Sequence, residues 1–300
     1  MHRLYPDVPD VFYDTGLEFP ELKNFVLENF NPVVLKPKFF NQSIKKYEPI
    51  NFIGVIKYYG YPLISKEQSG YIYQYRTTDS EKIKDRLTYK NRNQHYCISR
   101  RWMDFVENHK EIKVHNGCCH IMKKLPSHIY AKQTGRYPFI GIMACESKQR
   151  MRKWLATGCN MVGKQESSSA PLSFWLKSDI FHCIKKYNLK YCPVYGDIVE
   201  KNGIYTSTGY ESTGCIFCGF GCHLEEYPNR FQLMSKTHPK LYDFCMRGGK
   251  YDENGYWVPD NGLGMAKVLD AIDVVWWETE EQKKKYRTEY LKKEKEFAQS

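Results

Sequence analysis

Two pairs of cysteines carry the plainest chemistry in this chain. Cys118 and Cys119 are adjacent, and about a hundred residues later Cys215 and Cys218 form a C-x-x-C in Thr213-Gly-Cys-Ile-Phe-Cys-Gly-Phe-Gly-Cys222. Thiolates are strong ligands for iron and zinc, so two short clips could hold one metal centre between distant parts of a fold. Adjacent cysteines suit a cluster: neighbouring side chains can reach two different irons, whereas closing both on one zinc makes an awkward small ring. The first reading is therefore a 4Fe–4S cluster on Cys118, Cys119, Cys215 and Cys218. Zinc is the second, and thiols that bind no metal the third. Cys222 and His223 stand nearby as spare ligands, although four sulfurs already suffice and Cys222 is expected to pack.

Eleven cysteines in 300 residues is a high and odd number. A secreted disulfide scaffold would be shorter and would pair them all, so the expected compartment is the reducing cytoplasm. The scattered cysteines (Cys97, Cys145, Cys159, Cys183, Cys192 and Cys245) read as small buried hydrophobes. The N-terminal run Met1-His-Arg-Leu-Tyr-Pro lacks the apolar segment of a signal peptide. No apolar run approaches the roughly 20 residues that cross a bilayer, so no membrane partner is expected. A formal charge of +11 invites a polyanionic partner, a nucleotide or a nucleic acid, but the basic residues are spread along the whole chain.

The elements that must position these residues read as α/β. A β-branched and aromatic run, Val8 to Tyr13, ends at the turn Asp14-Thr-Gly16. Apolar residues at helical spacing follow from Leu17 to Phe30, with Pro20 in the first turn where it is tolerated, and then a second short strand from Asn31 to Lys36. Strand–turn–helix–strand is the unit of a parallel sheet. The tyrosine-rich stretch 40–115 is expected to hold helices, one ending near His109. Tyr137 to Ala144 is a near-continuous apolar run, as a strand buried on both faces requires. A basic helix from Ser147 to Thr157 should follow, and another opening at Ser173 or Ser178 and running to Tyr187. The segment 278–300 is a charged helix with little apolar face, expected to be solvated or frayed.

With these elements in place, five segments together resemble the phosphoadenosine phosphosulfate (PAPS) and adenylyl-sulfate reductase-like family of the PP-loop superfamily. Val11-Phe-Tyr-Asp-Thr-Gly-Leu-Glu-Phe-Pro-Glu21 is similar to the family's second strand, D-T-G turn and F-P-E helix start. Cys118-Cys-His-Ile-Met-Lys-Lys-Leu-Pro126 is similar to its C-C-x-x-x-K-x-x-P stretch. Gly141-Ile-Met-Ala-Cys-Glu-Ser-Lys-Gln-Arg150 resembles the strand-end G-x-x-x-x-E-S-x-x-R segment. Pro171-Leu-Ser-Phe-Trp-Leu-Lys-Ser-Asp-Ile180 resembles a P-L-x-x-W-x-x-x-D helix start. Gly209 to Cys218 resembles the G-Y-x-x-x-G-C-x-x-C loop. The run from Phe217 to Phe231 looks most like the branch carried by bacteria and phages.

The resemblance implies a Rossmann-like parallel sheet of the adenine nucleotide alpha-hydrolase (HUP) type over residues 1–225, with a helical C-terminal extension over 226–300. It implies an adenylyl nucleotide or sulfonucleotide as partner, nucleic acid as an alternative one, and a homodimer as an allowed state. The implied nucleotide-side residues are Asp14, Thr15 and Gly16 at one strand end, Lys123 beside the cysteines, and Glu146, Ser147 and Arg150 at another strand end. Each has a plainer reading: a tight turn, a surface lysine, and an i,i+4 ion pair between Glu146 and Arg150. Two departures qualify the activity. The phosphate-cradling S-G-G-x-D-S loop and its strand are absent, with Met1 to Pro6 resembling the tail of the helix after that loop, so the sequence reads as N-terminally incomplete and weak in ATP hydrolysis. The family's C-terminal E-C-G-L-H cysteine is also missing. Oxidoreductase or sulfur-transferase chemistry on the nucleotide is the leading expectation. Thiolation or phosphorothioation of nucleic acid is the alternative, and a non-catalytic metal-bound remnant the third.

Overall fold

The computed structural model describes residues 4–88, 96–163, 167–210 and 212–299. The expectations resting on Met1 to Arg3 and on Ser300 lie outside them. The chain divides into two compact units, one of residues 1–14, 18–36 and 123–215, the other of residues 15–17, 37–122 and 216–300.

The first unit opens with a turn over Leu4 to Asp7, not the helix tail expected there. Strand Val11–Tyr13 then pairs in parallel with Val33–Leu35. Helix Pro20–Asn29 joins them, with Pro20 at its start, where its missing amide costs nothing. This is the strand–turn–helix–strand unit expected from the sequence. Helix Leu125–Thr134 ends on Gly135, whose left-handed backbone (φ +69°) lets the chain turn away.

Residues 137–143 depart from expectation. They make one parallel bridge, Phe139 with Ser169, and hydrogen bonds from Ile140 N to Ser169 O (2.8 Å) and from Ser169 N to Pro138 O (3.0 Å). Tyr137 is 71% exposed and Phe139 45%. The run is apolar enough for a doubly covered strand, but it has a partner on one edge only among the described residues. Helix Lys148–Thr157 follows, capped by Ser147 Oγ accepting from Arg150 N at 3.2 Å. The next helix, Lys177–Lys186, is capped neither by Ser173 nor by Ser178; Asp179 accepts from Leu176 N at 2.7 Å. A hairpin, Ile198–Lys201 with Ile204–Ser207, closes on Asn202-Gly203, both with positive φ, the pair a tight two-residue turn demands.

The second unit holds the larger core. Trp257, Trp276, Tyr61 and Phe231 are all within 1% of full burial. Their polar atoms are satisfied: Tyr61 OH donates to Leu263 O (2.7 Å) and Trp257 Nε1 to Gly264 O (3.0 Å). Helices Phe52–Tyr59, Lys66–Thr77 and Met103–Asn108 lie in the tyrosine-rich stretch, the last ending at His109 as expected. Leu63–Ile64 pairs in parallel with Gly219–Phe220. Gly249 (φ +81°) lies so close against the Trp257 ring that a Cβ there would overlap it. Beneath, buried Lys267 pairs with Glu111 (3.0 Å) and with Glu294.

Helix Glu280–Ala298 belongs to this core, against the expectation of a solvated end. Asp270 accepts from Arg287 Nε and Nη2 (both 2.8 Å) and from Tyr290 OH (2.6 Å). Tyr286 is buried and donates to Asp243 at 2.8 Å, and Phe297 stacks on Tyr251 with centroids 4.2 Å apart. Polar and aromatic contacts dock this helix, which is why a search for an apolar stripe misses it.

The strands form only two-stranded sheets among the described residues. The chain is mixed α/β, but the single continuous parallel sheet expected from the sequence is not assembled. In the first unit, Val11–Tyr13 pairs only with Val33–Leu35, and Pro138 to Ile140 only with the Ser169 strand. No described strand bridges the two.

Candidate functional site

The first unit contains a cationic cavity of about 640 Å³. Its walls come from the end of strand Val11–Tyr13, helix Leu125–Thr134, the extended run after Gly135, and helix Lys148–Thr157. Five basic side chains line it, Lys123, Lys124, Lys132, Arg136 and Lys153, together with His128 and the hydroxyls of Ser127, Ser167 and Ser168. No lining residue is acidic among the described residues. Lys123 Nζ lies 3.9 Å from a Glu18 carboxylate oxygen. Clustered cations in a concave site raise the local concentration of anions.

A second cavity of about 380 Å³ shares Tyr13, Ser127, Arg136, Tyr137 and Ile140 with the first. Its further lining is largely aromatic and apolar: Val8, Pro9, Val11, Tyr130 and Phe139, with Asp10 the one acid. Together they form a groove with an aromatic end and a cationic end. That combination suits a ligand with a flat ring at one side and phosphate or sulfate at the other, and the volumes lie in the range of small-molecule sites, about 300–1,000 Å³.

The sequence named one of these residues, Lys123. It missed Lys124, His128 and Lys132, although their spacing of four places them on one helical face, a signal legible in hindsight. The wide π-turn over His120–Lys124, leading into helix Leu125–Thr134, is what the sequence could not show.

The other expected nucleotide residues are engaged elsewhere. Asp14 accepts from Lys23 Nζ through both oxygens (2.9 and 3.0 Å). Thr15 is buried, its Oγ1 accepting from Leu17 N at 3.2 Å, and Gly16 has the positive φ (+72°) of a turn residue. Glu146 accepts from Met143 N (2.9 Å) and pairs with Arg150, so the i,i+4 ion pair is present. Arg150 also edges a small void of about 40 Å³ with Lys153 and Trp154.

The cysteine clips are partly drawn together. In the second unit, burial pushes the Cys218 thiol up, while the Phe220 amide and the Arg230 and Lys66 charges oppose the rise and the nearby Cys119 thiol adds to it. One sulfur from each clip therefore senses the other. Arg230 Nη1 donates to Cys218 O at 2.9 Å and is itself held by Glu225 (Nε to Oε1, 2.8 Å). Cys222 is buried, donates to Gly219 O at 3.1 Å, and is pushed up to about 12 by burial, so it packs as a neutral thiol. Cys118 is buried and Cys119, Cys215 and Cys218 half-buried. Among the described residues, no three His, Cys, Asp or Glu side chains form a group arranged to hold a metal ion. The donor chemistry of the clips fits a thiolate-bound metal; a ready-made site is not assembled.

No helix among the described residues is long and apolar enough to cross a membrane. No curated protein matches the chain. Residues 71–219 match the phosphoadenosine phosphosulfate reductase domain, a span that contains both cysteine clips and most of the cationic cavity. By that match, the chain belongs to the phosphoadenosine phosphosulfate reductase family.

Proposed function

We propose that this protein binds an adenylyl nucleotide or sulfonucleotide in the groove of its first unit and carries out sulfur or redox chemistry on it. The observation that carries this reading is the groove's polarity, aromatic at one end and cationic at the other. The adenine lies against Tyr13, Tyr137 and Phe139, and the anionic end meets Lys124, Arg136 and Lys153. Lys123 adds a fourth charge from the π-turn His120–Lys124. Serine hydroxyls supply neutral donors to the same oxygens. Membership of the family supports a nucleotide substrate and a HUP-type arrangement of the α/β elements.

Cys118, Cys119, Cys215 and Cys218 are proposed as the thiolates of a 4Fe–4S cluster, with zinc the competing occupant. Such a cluster would supply one-electron chemistry or a fixed charge. Arg230 positions the Cys218 loop and lowers the cost of ionising its sulfur. The formal charge of +11 supports a second reading, sulfur transfer to nucleic acid.

Anaerobic incubation of the full chain with adenosine 3′-phosphate 5′-phosphosulfate and a dithiol separates the two. Release of sulfite supports reduction of the sulfonucleotide. Sulfur appearing in tRNA or DNA in a parallel incubation with ATP and a persulfide donor, with no sulfite from the sulfonucleotide, supports the second reading.

A further inference from the structure

The second unit carries another cavity, of about 530 Å³, that neither the cysteines nor the nucleotide groove explains. Tyr58, Tyr59, Tyr73, Tyr75 and Tyr256 line it, with Lys84, Lys110 and Lys113 around them. None of its lining residues is acidic among the described residues. Lys84 pairs with Glu81 at 3.0 Å, and Lys113 Nζ sits 3.8 Å from the centre of the Tyr256 ring. Arg76, also in the wall, donates to the carbonyls of Ile112 (2.8 Å) and Val106 (3.0 Å), and its buried Nε has no partner.

The rings do not stop at the cavity mouth. Phe39 and Tyr58 have centroids 5.7 Å apart, Tyr58 and Tyr59 6.5 Å, Tyr59 and His115 5.3 Å, and His115 and Tyr73 4.6 Å. They make one row of aromatic rings in contact, tilted at the first three contacts and edge-on between His115 and Tyr73. Burial lowers the His115 imidazole below its ordinary value, so near neutral pH it joins the row as an uncharged ring. Tyr58 is 69% exposed and Tyr73 42%, which leaves ring faces open to a ligand. A packed core would bury these tyrosines, and a mononucleotide needs no row this long.

We propose that this row and its lysines bind single-stranded nucleic acid, with successive bases against the exposed rings and the backbone along Lys110 and Lys113. Base–aromatic stacking is tolerant of sequence, because every base has a π face, and phosphate neutralisation by lysine supplies the rest. The site lies in a different unit from the nucleotide groove and shares no residue with it. It stands whether or not the groove binds a sulfonucleotide.

The test is fluorescence anisotropy of the full chain with labelled oligothymidylate and oligouridylate over a range of salt. Removing Tyr58 and Tyr73 together (Tyr58→Ala, Tyr73→Ala) should weaken binding at least about 30-fold, since two stacked bases are lost. The corresponding Phe variants should restore it. Lys110→Ala with Lys113→Ala should lower the salt slope by about 1.4, at about 0.7 for each phosphate released on a single strand. Lys201→Ala, exposed on the hairpin of the other unit, controls for general charge. Circular dichroism confirms that the variants fold, and sulfonucleotide binding by the same tyrosine variants should stay at the wild-type value. Wild-type affinity in the folded tyrosine double variant would overturn the proposal. So would an equal loss from Lys201→Ala, or displacement of the oligomer by AMP at matching affinity. A preference between the two oligomers identifies DNA or RNA as the strand bound.

Discussion

Glu111→Gln is expected to destabilise the second unit at neutral pH and to lose that effect in acid. Glu111 accepts from His109 (3.5 Å) and from Lys267 (3.0 Å), the buried ammonium that also holds Glu294. Burial alone would raise the Glu111 carboxyl; the His109 hydrogen bond and the Lys267 charge outweigh it and hold it down to about 2, from an ordinary value of 4.5. A carboxyl held that far down contributes at most about 3 kcal/mol, at about 1.4 kcal/mol per pH unit. Partial exposure of Glu111 screens this to about 2 kcal/mol. Because the folded value lies below the unfolded one, the contribution is complete above about pH 5 and falls away as the pH drops toward 2. Urea unfolding of wild type and variant at pH 7 and pH 3 measures it. The difference should shrink by more than half between the two. A difference that stays constant or grows on acidification would refute the argument. The Glu111 backbone carbonyl accepts from Trp257 N at 2.8 Å, so backbone and side chain of Glu111 together fix the segment carrying Lys110 and Lys113 at the aromatic row.

Other perturbations probe the remaining parts. Gly249→Ala sets a methyl group into the Trp257 ring at a positive φ and should cost about 3 kcal/mol, read as a lowered urea midpoint. An unchanged midpoint would mean that the two do not pack as described. Asp270→Ala leaves Arg287, Tyr290 and Trp276 Nε1 without their acceptor; it should cost about 3 kcal/mol and abolish hydrogen-exchange protection across 280–298. Protection retained in that variant would show that other contacts dock the helix. Anaerobically purified protein should be brown and contain iron and acid-labile sulfide in equal amounts, with both lost in Cys119→Ser. Stoichiometric zinc in their place would remove the cluster from the account.

The sequence revealed the local units better than their assembly. The strand–turn–helix–strand of residues 11–35 and the helix ending at His109 were legible because hydrophobic period and Pro placement are local signals. The docking of 280–298 was not, because Asp270, Asp243 and Tyr251 hold it from distant parts of the chain. For the same reason Lys123 was visible through a motif, whereas Arg136 and Lys153 became site residues only once the chain had folded around one cavity. Apolarity likewise placed 137–143 on a strand without showing that only one of its edges finds a partner.

The groove of the first unit is tested most directly by calorimetric titration of adenosine 3′-phosphate 5′-phosphosulfate into the anaerobic full chain and into its Arg136→Ala, Lys153→Ala variant. Saturable binding that weakens at least about 10-fold in the variant, as loss of two charge-assisted contacts requires, is the predicted result. Equal affinity in both proteins would contradict it.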